Sequence, residues 1–113
     1  MARQLRGLIT RVERGEIEMV TPITGERDEE GRWTEIDLRV IDTNGDESTY
    51  KIRDDVPIST LARLRGAIDT SGTSYLTTPS LDLFNIFLDE DEWDEFDDYL
   101  DDYLDDFKEE GAA

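Results

Sequence analysis

Pairs of aspartates recur at every fourth position near the end of the chain. From Asp97 the sequence repeats a unit of two aspartates, an aromatic residue and a leucine, and the repeat ends at Phe107. Because four residues are close to one helical turn, a helix would gather these carboxylates on one side. Such a row resembles the phosphates of a nucleic acid in charge density, and its chemistry is the binding of cationic surfaces. The predicted charged face consists of Asp94, Asp97, Asp98, Asp101, Asp102, Asp105 and Asp106.

The other side of the same segment is apolar. Its large residues alternate between spacings of three and four, which is typical of a short coiled-coil-like seam. We expect this seam to pack on the sheet of the same chain or to mediate self-association into a homo-oligomer, and Tyr99 and Leu104 fall on the same side. The predicted anchors are Trp93, Phe96, Leu100, Tyr103 and Phe107.

Local energetics do not favour this helix. Aspartate is a mediocre helix former, and stacked aspartates at i,i+4 repel by roughly 0.2–0.5 kcal/mol per pair. Lys108 is the only cation between Leu88 and Glu110. The helix therefore needs burial of its apolar side, screening salt or a cationic partner.

The charge of the chain is concentrated in this segment. Residues 1–80 contain 15 Asp and Glu against 11 Lys and Arg, whereas residues 81–113 contain 15 against one, which together give the net charge of −18. Direct binding to nucleic acid or to an anionic membrane is disfavoured, and binding to a basic protein is favoured. We expect the arginines near the start, Arg3, Arg6, Arg11 and Arg14, to pair with the chain's own carboxylates.

The residue inventory argues against catalysis. The chain has no cysteine and no histidine, so it lacks thiolate chemistry, the commonest general base and the commonest transition-metal ligand. No phosphate-binding glycine loop, nucleophile elbow or zinc motif is present. The run from Asp42 to Asp46 resembles the start of an EF-hand loop, but Glu47 and Arg53 stand where that loop needs Gly and Glu. We predict no enzymatic activity, no cofactor and no metal site.

Targeting signals are also lacking. The first residues have no signal-peptide core, and no run approaches the length that spans a membrane, so we expect a cytosolic protein without a membrane partner. Arginine outnumbers lysine ten to two. That ratio and the acidity are consistent with a halophilic source or with a G+C-rich bacterial or viral genome.

The elements that must position the acidic segment read mainly as strands. Alternation predicts a strand from Leu5 to Glu13, a tight turn at Arg14-Gly15 and a second strand from Glu16 to Thr21, with Pro22 weakening its far end or placing it at an edge. The polar stretch Thr24–Arg32 predicts a loop. Two further strands, Trp33–Asp42 and Asp46–Arg53, flank Asn44-Gly45.

The register of that second hairpin can be predicted. A two-residue turn at Asn44-Gly45 would turn the apolar faces of the strands apart. A three-residue loop, Thr43–Gly45 with Gly45 in the left-handed conformation, pairs Leu38 with Tyr50 and Ile36 with Ile52, and we favour it because it buries both faces.

The remaining elements are shorter. A helix is predicted over Ile58–Ile68 and a short strand over Ser74–Thr78. The run Ser80–Leu88 fits strand or helix, and a capping residue at Ser80 tips the balance slightly to helix.

These elements predict an α+β fold. We expect a small antiparallel β-meander or partly open barrel of about four to five strands, with a short helix and a C-terminal acidic amphipathic helix. Residues 1–88 would form the β-rich domain, 89–110 the acidic helix packed on it or projecting from it, and 111–113 a disordered end.

The predicted function is that of a non-enzymatic interaction protein. It would present the acidic helix to a basic partner, for example a nucleic-acid-binding protein or a toxin. It would act as a nucleic-acid mimic, an inhibitor (for example one encoded by a virus) or an immunity or antitoxin-type protein. Two alternatives remain. One is a structural or assembly protein of a halophilic organism or its virus. The other is a barrel that binds single-stranded nucleic acid and carries a regulatory acidic tail.

Overall fold

The chain begins with a helix where alternation predicts a strand. The computed structural model describes the backbone of residues 5–112 and their side chains except 79 and 107–112, and α1 spans Leu5–Glu13. The strand prediction was wrong because the apolar residues fit the period of a helix as well as the alternation of a strand. Leu5, Leu8, Ile9 and Val12 are spaced as on one helical face, and all four are buried. Gly15, with φ of 74°, ends the helix instead of turning a hairpin.

Three antiparallel strands follow α1. They are β1 (Ile17–Arg27), β2 (Trp33–Asp42) and β3 (Glu47–Arg53). β1 includes the first four residues of the predicted polar loop, so the observed loop is shorter and begins at Asp28. Ile36 pairs with Ile52 and Leu38 with Tyr50, so the predicted register of the second hairpin is confirmed. Gly45 has a φ of 87°, and the Asp42 Oδ1 atom accepts hydrogen bonds from the backbone N–H groups of Asn44 and Asp46, both at 2.9 Å.

The fourth strand makes the sheet mixed. After α2 (Ile58–Ser71), the two-residue strand β4 (Ser74–Tyr75) pairs in parallel with β1, which gives the order β3-β2-β1-β4. β4 pairs with only two residues of β1, Met19 and Val20. Pro22 therefore lies in β1 beyond the partner residues of β4, where the N–H that proline lacks is not needed. The sheet does not close into a barrel.

The described chain after β4 is mainly helical. A 3₁₀ turn at Pro79–Leu81 leads into α3 (Leu83–Phe87), so the helical alternative for Ser80–Leu88 is confirmed. Its cap is Asp82 and not Ser80, because the Asp82 side chain accepts from the Phe84 N–H. A second 3₁₀ turn at Glu90–Glu92 precedes α4 (Trp93–Ala112).

One core joins these elements into an α+β fold with an open four-stranded sheet. The inner face of the sheet contributes buried residues such as Val20, Leu38 and Ile52, and α1, α2 and α3 contribute Leu8, Leu64 and Phe84. Phe96 of α4 belongs to the same core. The acidic segment is thereby fixed against the rest of the molecule by apolar burial.

The opposite face of the sheet is polar. Strand alternation places there the set that we call the outer sheet face, namely Glu35, Asp37, Arg39, Glu47, Lys51 and Arg53. Its charges pair across β2 and β3: Arg39 Nε lies 2.7 Å from Glu47 Oε1, and Lys51 Nζ lies 3.8 Å from carboxylate oxygens of both Glu35 and Asp37. This face is therefore neutralised within the fold.

Candidate functional site

The acidic helix begins at a well-formed cap. Asp89 and Glu92 make a capping box, in which the Glu92 Oε1 atom accepts from the Asp89 N–H at 2.9 Å and the Asp89 side chain accepts from the backbone of Glu92. The first turns contain only acidic charges, which interact favourably with the positive end of the helix dipole. These local signals start the helix even though its later aspartates repel one another.

The apolar side of α4 packs on the helical layer. Phe96 is 3% exposed, and its ring lies 5.8 Å from that of Phe84 in α3 and 5.4 Å from that of Trp93. Trp93, Leu100 and Tyr103 are half-buried against the core. Four of the five predicted anchors thus contact the body, and their main neighbours are the helices α2 and α3 rather than the sheet. The side chain of Phe107 lies outside the described residues.

Tyr103 fits against a glycine. A Cβ atom built at Gly66 of α2 would collide with the Tyr103 ring, 2.8 Å from its Cε1 atom. A glycine in the interior of a helix is unfavourable unless something needs the space. Here the missing side chain lets α4 approach α2 closely, and Gly66 is a residue that the sequence reasoning missed. The signal that could have found it is the glycine within an otherwise helical pattern.

A polar network fixes the same contact. The Tyr103 hydroxyl donates to Glu13 Oε2 at 2.9 Å, and Arg63 Nη2 lies 3.0 Å from Glu13 Oε1. Burial, followed by the hydrogen bond to Glu13, raises the pKa of Tyr103 to about 12. The network joins the end of α1, the middle of α2 and α4.

The carboxylate side of α4 faces solvent. All seven predicted aspartates, from Asp94 to Asp106, are exposed, and in the described part of the chain none of them forms an ion pair. Most described cations are instead paired with carboxylates outside α4. The pairs are Arg11 with Glu16 and Asp42, Arg14 with Glu16, Arg39 with Glu47, Lys51 with Glu35 and Asp37, Arg53 with Glu35, Arg63 with Glu13 and Arg65 with Asp69.

Two of the three described N-terminal arginines, Arg11 and Arg14, pair as predicted, whereas Arg6 is exposed and forms no ion pair in the described structure. Arg11 and Arg14 pair with the chain's own Glu16, and Arg11 also donates to the Tyr50 hydroxyl at 2.8 Å. That hydrogen bond raises the pKa of Arg11. Arg3 lies outside the described residues.

One residue departs from the predicted partition of α4. Tyr99 falls on the apolar side by helical angle, yet it is 42% exposed. The body covers only part of that side, because Phe96, Leu100 and Tyr103 form the stripe that contacts α2 and α3. An exposed aromatic ring therefore lies next to the carboxylates of Asp98 and Asp102, one residue before and three after it.

No cluster of three or more metal-ligating side chains occurs among the described residues. No helix in the described range combines the length and the apolar composition that crossing a bilayer requires. Asp42, which begins the EF-hand-like run, uses Oδ1 to hold the β2–β3 turn.

Comparison of the chain with protein-family models, with curated proteins and with solved structures finds no match. The class that the fold and the site define is accordingly a structural one. It is an α+β domain with one open sheet. The last helix of the domain, α4, packs on the core through its aromatic side and exposes a row of carboxylates.

Proposed function

We propose that this protein is a non-enzymatic interaction protein of the cytosol that presents the carboxylate side of α4 to a basic partner. It would act as a nucleic-acid mimic, an inhibitor or an immunity-type protein. The observation that carries the proposal is the contrast between the two sides of α4. The aromatic side is buried against the body, while the seven exposed aspartates have no ion-pair partner in the described structure.

The geometry of the row supports mimicry of a phosphate backbone. Aspartates at i,i+4 repeat about every 6 Å along the helix, and doubling them within each turn raises the charge density towards that of nucleic acid. A basic groove that binds phosphates would gain similar electrostatic energy from this row and release comparable counterions.

Rigid attachment of the row supports a binding role as well. A flexible acidic tail loses conformational entropy when a partner orders it, and this loss weakens binding. Here Phe96, Tyr103 and the capping box order α4 before any partner arrives. The helix is thus preorganised, and the remaining requirement is a cationic surface of matching length.

A displacement assay tests the proposal. Protamine, an arginine-rich protein, is bound to fluorescently labelled duplex DNA, and the native chain is titrated in while anisotropy reports free DNA. We expect the native chain to release the DNA. The variant Asp98→Lys, Asp101→Lys, Asp102→Lys should need about tenfold more protein for the same release, because it reverses the centre of the row.

A matched variant separates the row from net charge. Glu18, Glu29 and Glu30 are exposed and form no ion pair in the described structure, so replacing all three by Lys changes the net charge by the same amount away from α4. This variant should release DNA nearly as well as the native chain. Equal potency of the two triple variants would overturn the proposal, provided that circular dichroism shows both to be folded.

The two alternative functions stay predictions. Self-association through the aromatic seam would compete with the burial of Phe96 in the chain's own core. Direct binding of single-stranded nucleic acid would have to overcome the field of the exposed aspartates. The same labelled DNA, used in single-stranded form without protamine, reports on that second alternative.

A further inference from the structure

A cleft opens at the base of the acidic helix. It lies between the start of β2, the segment that joins β3 to α2, and the α3–α4 connection, and its volume is about 460 Å³. That volume falls within the range of about 300–1,000 Å³ that small-molecule sites occupy. The cleft is separate from the carboxylate row but adjoins the first residues of α4. Its lining residues are Arg32, Trp33, Asp54, Val56, Ile58, Ile86, Phe87, Asp89 and Glu92.

The lining surface is mostly polar and acidic, with a smaller aliphatic part. Val56, Ile58 and Ile86 supply aliphatic surface, and three carboxylates stand against the one guanidinium of Arg32. None of Asp54, Asp89 and Glu92 forms an ion pair in the described structure. The lining therefore has a net charge of −2, because Arg32 offsets only one of the three carboxylates.

We propose that this cleft binds an arginine side chain. The proposal rests on the proposed function in one respect, because it assigns that arginine to the same basic partner that contacts α4. An arginine has an aliphatic stem that would lie along Val56 and Ile86, and a guanidinium with several N–H donors that would reach the carboxylates. Arg27 already lies over the indole ring of Trp33, 4.2 Å from its centroid, so the carboxylates and not ring stacking carry the recognition.

The position of the cleft gives it a role in orientation. A continuous row of like charges attracts a basic surface without fixing its register, whereas a single pocket that holds one side chain does fix it. Asp89 and Glu92 belong both to the lining and to the cap that starts the acidic helix. An arginine bound in the cleft would therefore set where the partner begins along α4.

Nuclear magnetic resonance can test the cleft on the intact chain. The chain has two tryptophans, and only Trp33 lines the cleft, so the indole N–H signal of Trp93 is an internal reference. The probe is N-acetylarginine methylamide, and the matched neutral probe is N-acetylcitrulline methylamide. We expect the arginine probe to shift the Trp33 signal saturably, with a Kd on the order of 1 mM, and the citrulline probe to bind at least about tenfold more weakly.

Two neighbouring substitutions complete the test. Asp54→Lys places a cation in the lining, whereas Asp55→Lys makes the same charge change on a residue outside it. Asp54→Lys should weaken arginine binding at Trp33 by about tenfold or more, and Asp55→Lys by less than about threefold. Equal effects of the two substitutions, equal shifts by the two probes, or no saturable shift of Trp33 would each overturn the proposal.

The two proposals fail separately. The probe measurement involves neither protamine nor Asp98, Asp101 and Asp102, so a negative result at Trp33 leaves DNA release by the native chain intact. Conversely, if the two triple variants release DNA equally while Trp33 still responds to arginine, the cleft is a guanidinium site but the acidic row is not the partner surface.

Discussion

The outer sheet face and the exposed side of α4 are both rich in carboxylates, yet they differ in what surrounds those charges. On the sheet, Glu35 and Asp37 lie beside Lys51, and Glu47 lies beside Arg39, so each acid meets a cation on the neighbouring strand. On α4, in the part that the structure describes, no cation comes within ion-pairing distance of the aspartates. The comparison shows that carboxylates stay available to an external cation only where the fold does not pair them with its own Lys and Arg.

The difference follows from how each element is built. Two strands bring side chains from separate stretches of sequence face to face, and opposite charges can then pair across them. An isolated helix face meets only its own i,i+3 and i,i+4 neighbours, and in α4 the i,i+4 neighbour of each aspartate from Asp94 to Asp102 is another aspartate. The helix is retained because Phe96 and Tyr103 attach its other side to the body.

The strongest way to break this arrangement is to remove the main anchor. Phe96→Ala should destabilise the protein by about 3–5 kcal/mol, because it deletes a buried ring and leaves a cavity beside Phe84. Tyr99→Ala, on the same helix, should change stability by less than about 0.5 kcal/mol because Tyr99 is 42% exposed. Urea unfolding followed by circular dichroism measures both. Equal losses would mean that α4 is not held through Phe96.

A smaller change tests the close approach of α4 to α2. Gly66→Ala should destabilise by about 1–3 kcal/mol, because the added methyl group collides with the Tyr103 ring. The matched control is Gly7→Ala in α1, where a Cβ meets nothing within 4 Å. This control should stabilise by up to about 0.5–1 kcal/mol through helix propensity. Stabilisation by both substitutions would contradict the observed packing.

Salt sharpens the contrast between the two surfaces. Screening relieves repulsion along α4, so raising NaCl from about 0.05 to 1 M should stabilise the native chain by about 1–2 kcal/mol. The variant Asp98→Lys, Asp101→Lys, Asp102→Lys should lose most of this gain. A folded state that appears only above molar salt would favour the halophilic alternative instead. Thermal unfolding at graded salt distinguishes these outcomes.

The smallest effect concerns the hydrogen bond between Tyr103 of α4 and Glu13 of α1. Tyr103→Phe should cost about 1 kcal/mol at neutral pH, since Glu13 loses a donor. The pKa of Tyr103 lies at about 12, above its ordinary value of 10.0, so the folded state favours the neutral phenol. This contribution is complete below pH 10 and is lost as the pH rises towards 12.

Between pH 10 and 12, the Tyr103→Phe variant should therefore lose less free energy of unfolding than the native chain does. Tyr75, whose pKa burial also raises, accounts for a further part of the loss, so the comparison is between variant and native chain. Urea unfolding at several pH values between 9 and 12 measures the difference. Identical pH profiles for the two proteins would show that Tyr103 ionises without loss of folding energy.

Sequence patterns predicted the features that depend on local chemistry. Gly45 allowed the three-residue turn, and the apolar faces of β2 and β3 then fixed their register. The alternation of aspartates and aromatic residues predicted α4 and the side that it buries. For the β2–β3 hairpin the turn geometry excluded the other register, and for α4 the helical period excluded a strand.

Features that depend on distant residues were not predictable. The sequence of α1 fits a strand as well as a helix. Packing against the core decides for the helix, because the helix buries Leu8 and Val12 on one face. The parallel pairing of β4 involves only two residues, which are too few to show strand alternation in the sequence. The contact of Tyr103 with Gly66 and Glu13 depends on tertiary packing, so the sequence placed Tyr103 on the correct side of α4 without naming its neighbours.

The hydrogen bond between Tyr103 and Glu13 closes a loop of 90 residues. Contacts of such long range form late in folding, because the entropy of loop closure is lost before they contribute, whereas the β2–β3 turn closes early. Until that late step, electrostatic repulsion opposes the helical conformation of the acidic segment. We therefore expect this helix to be the last element to assemble, and refolding to be fastest where counterions are abundant.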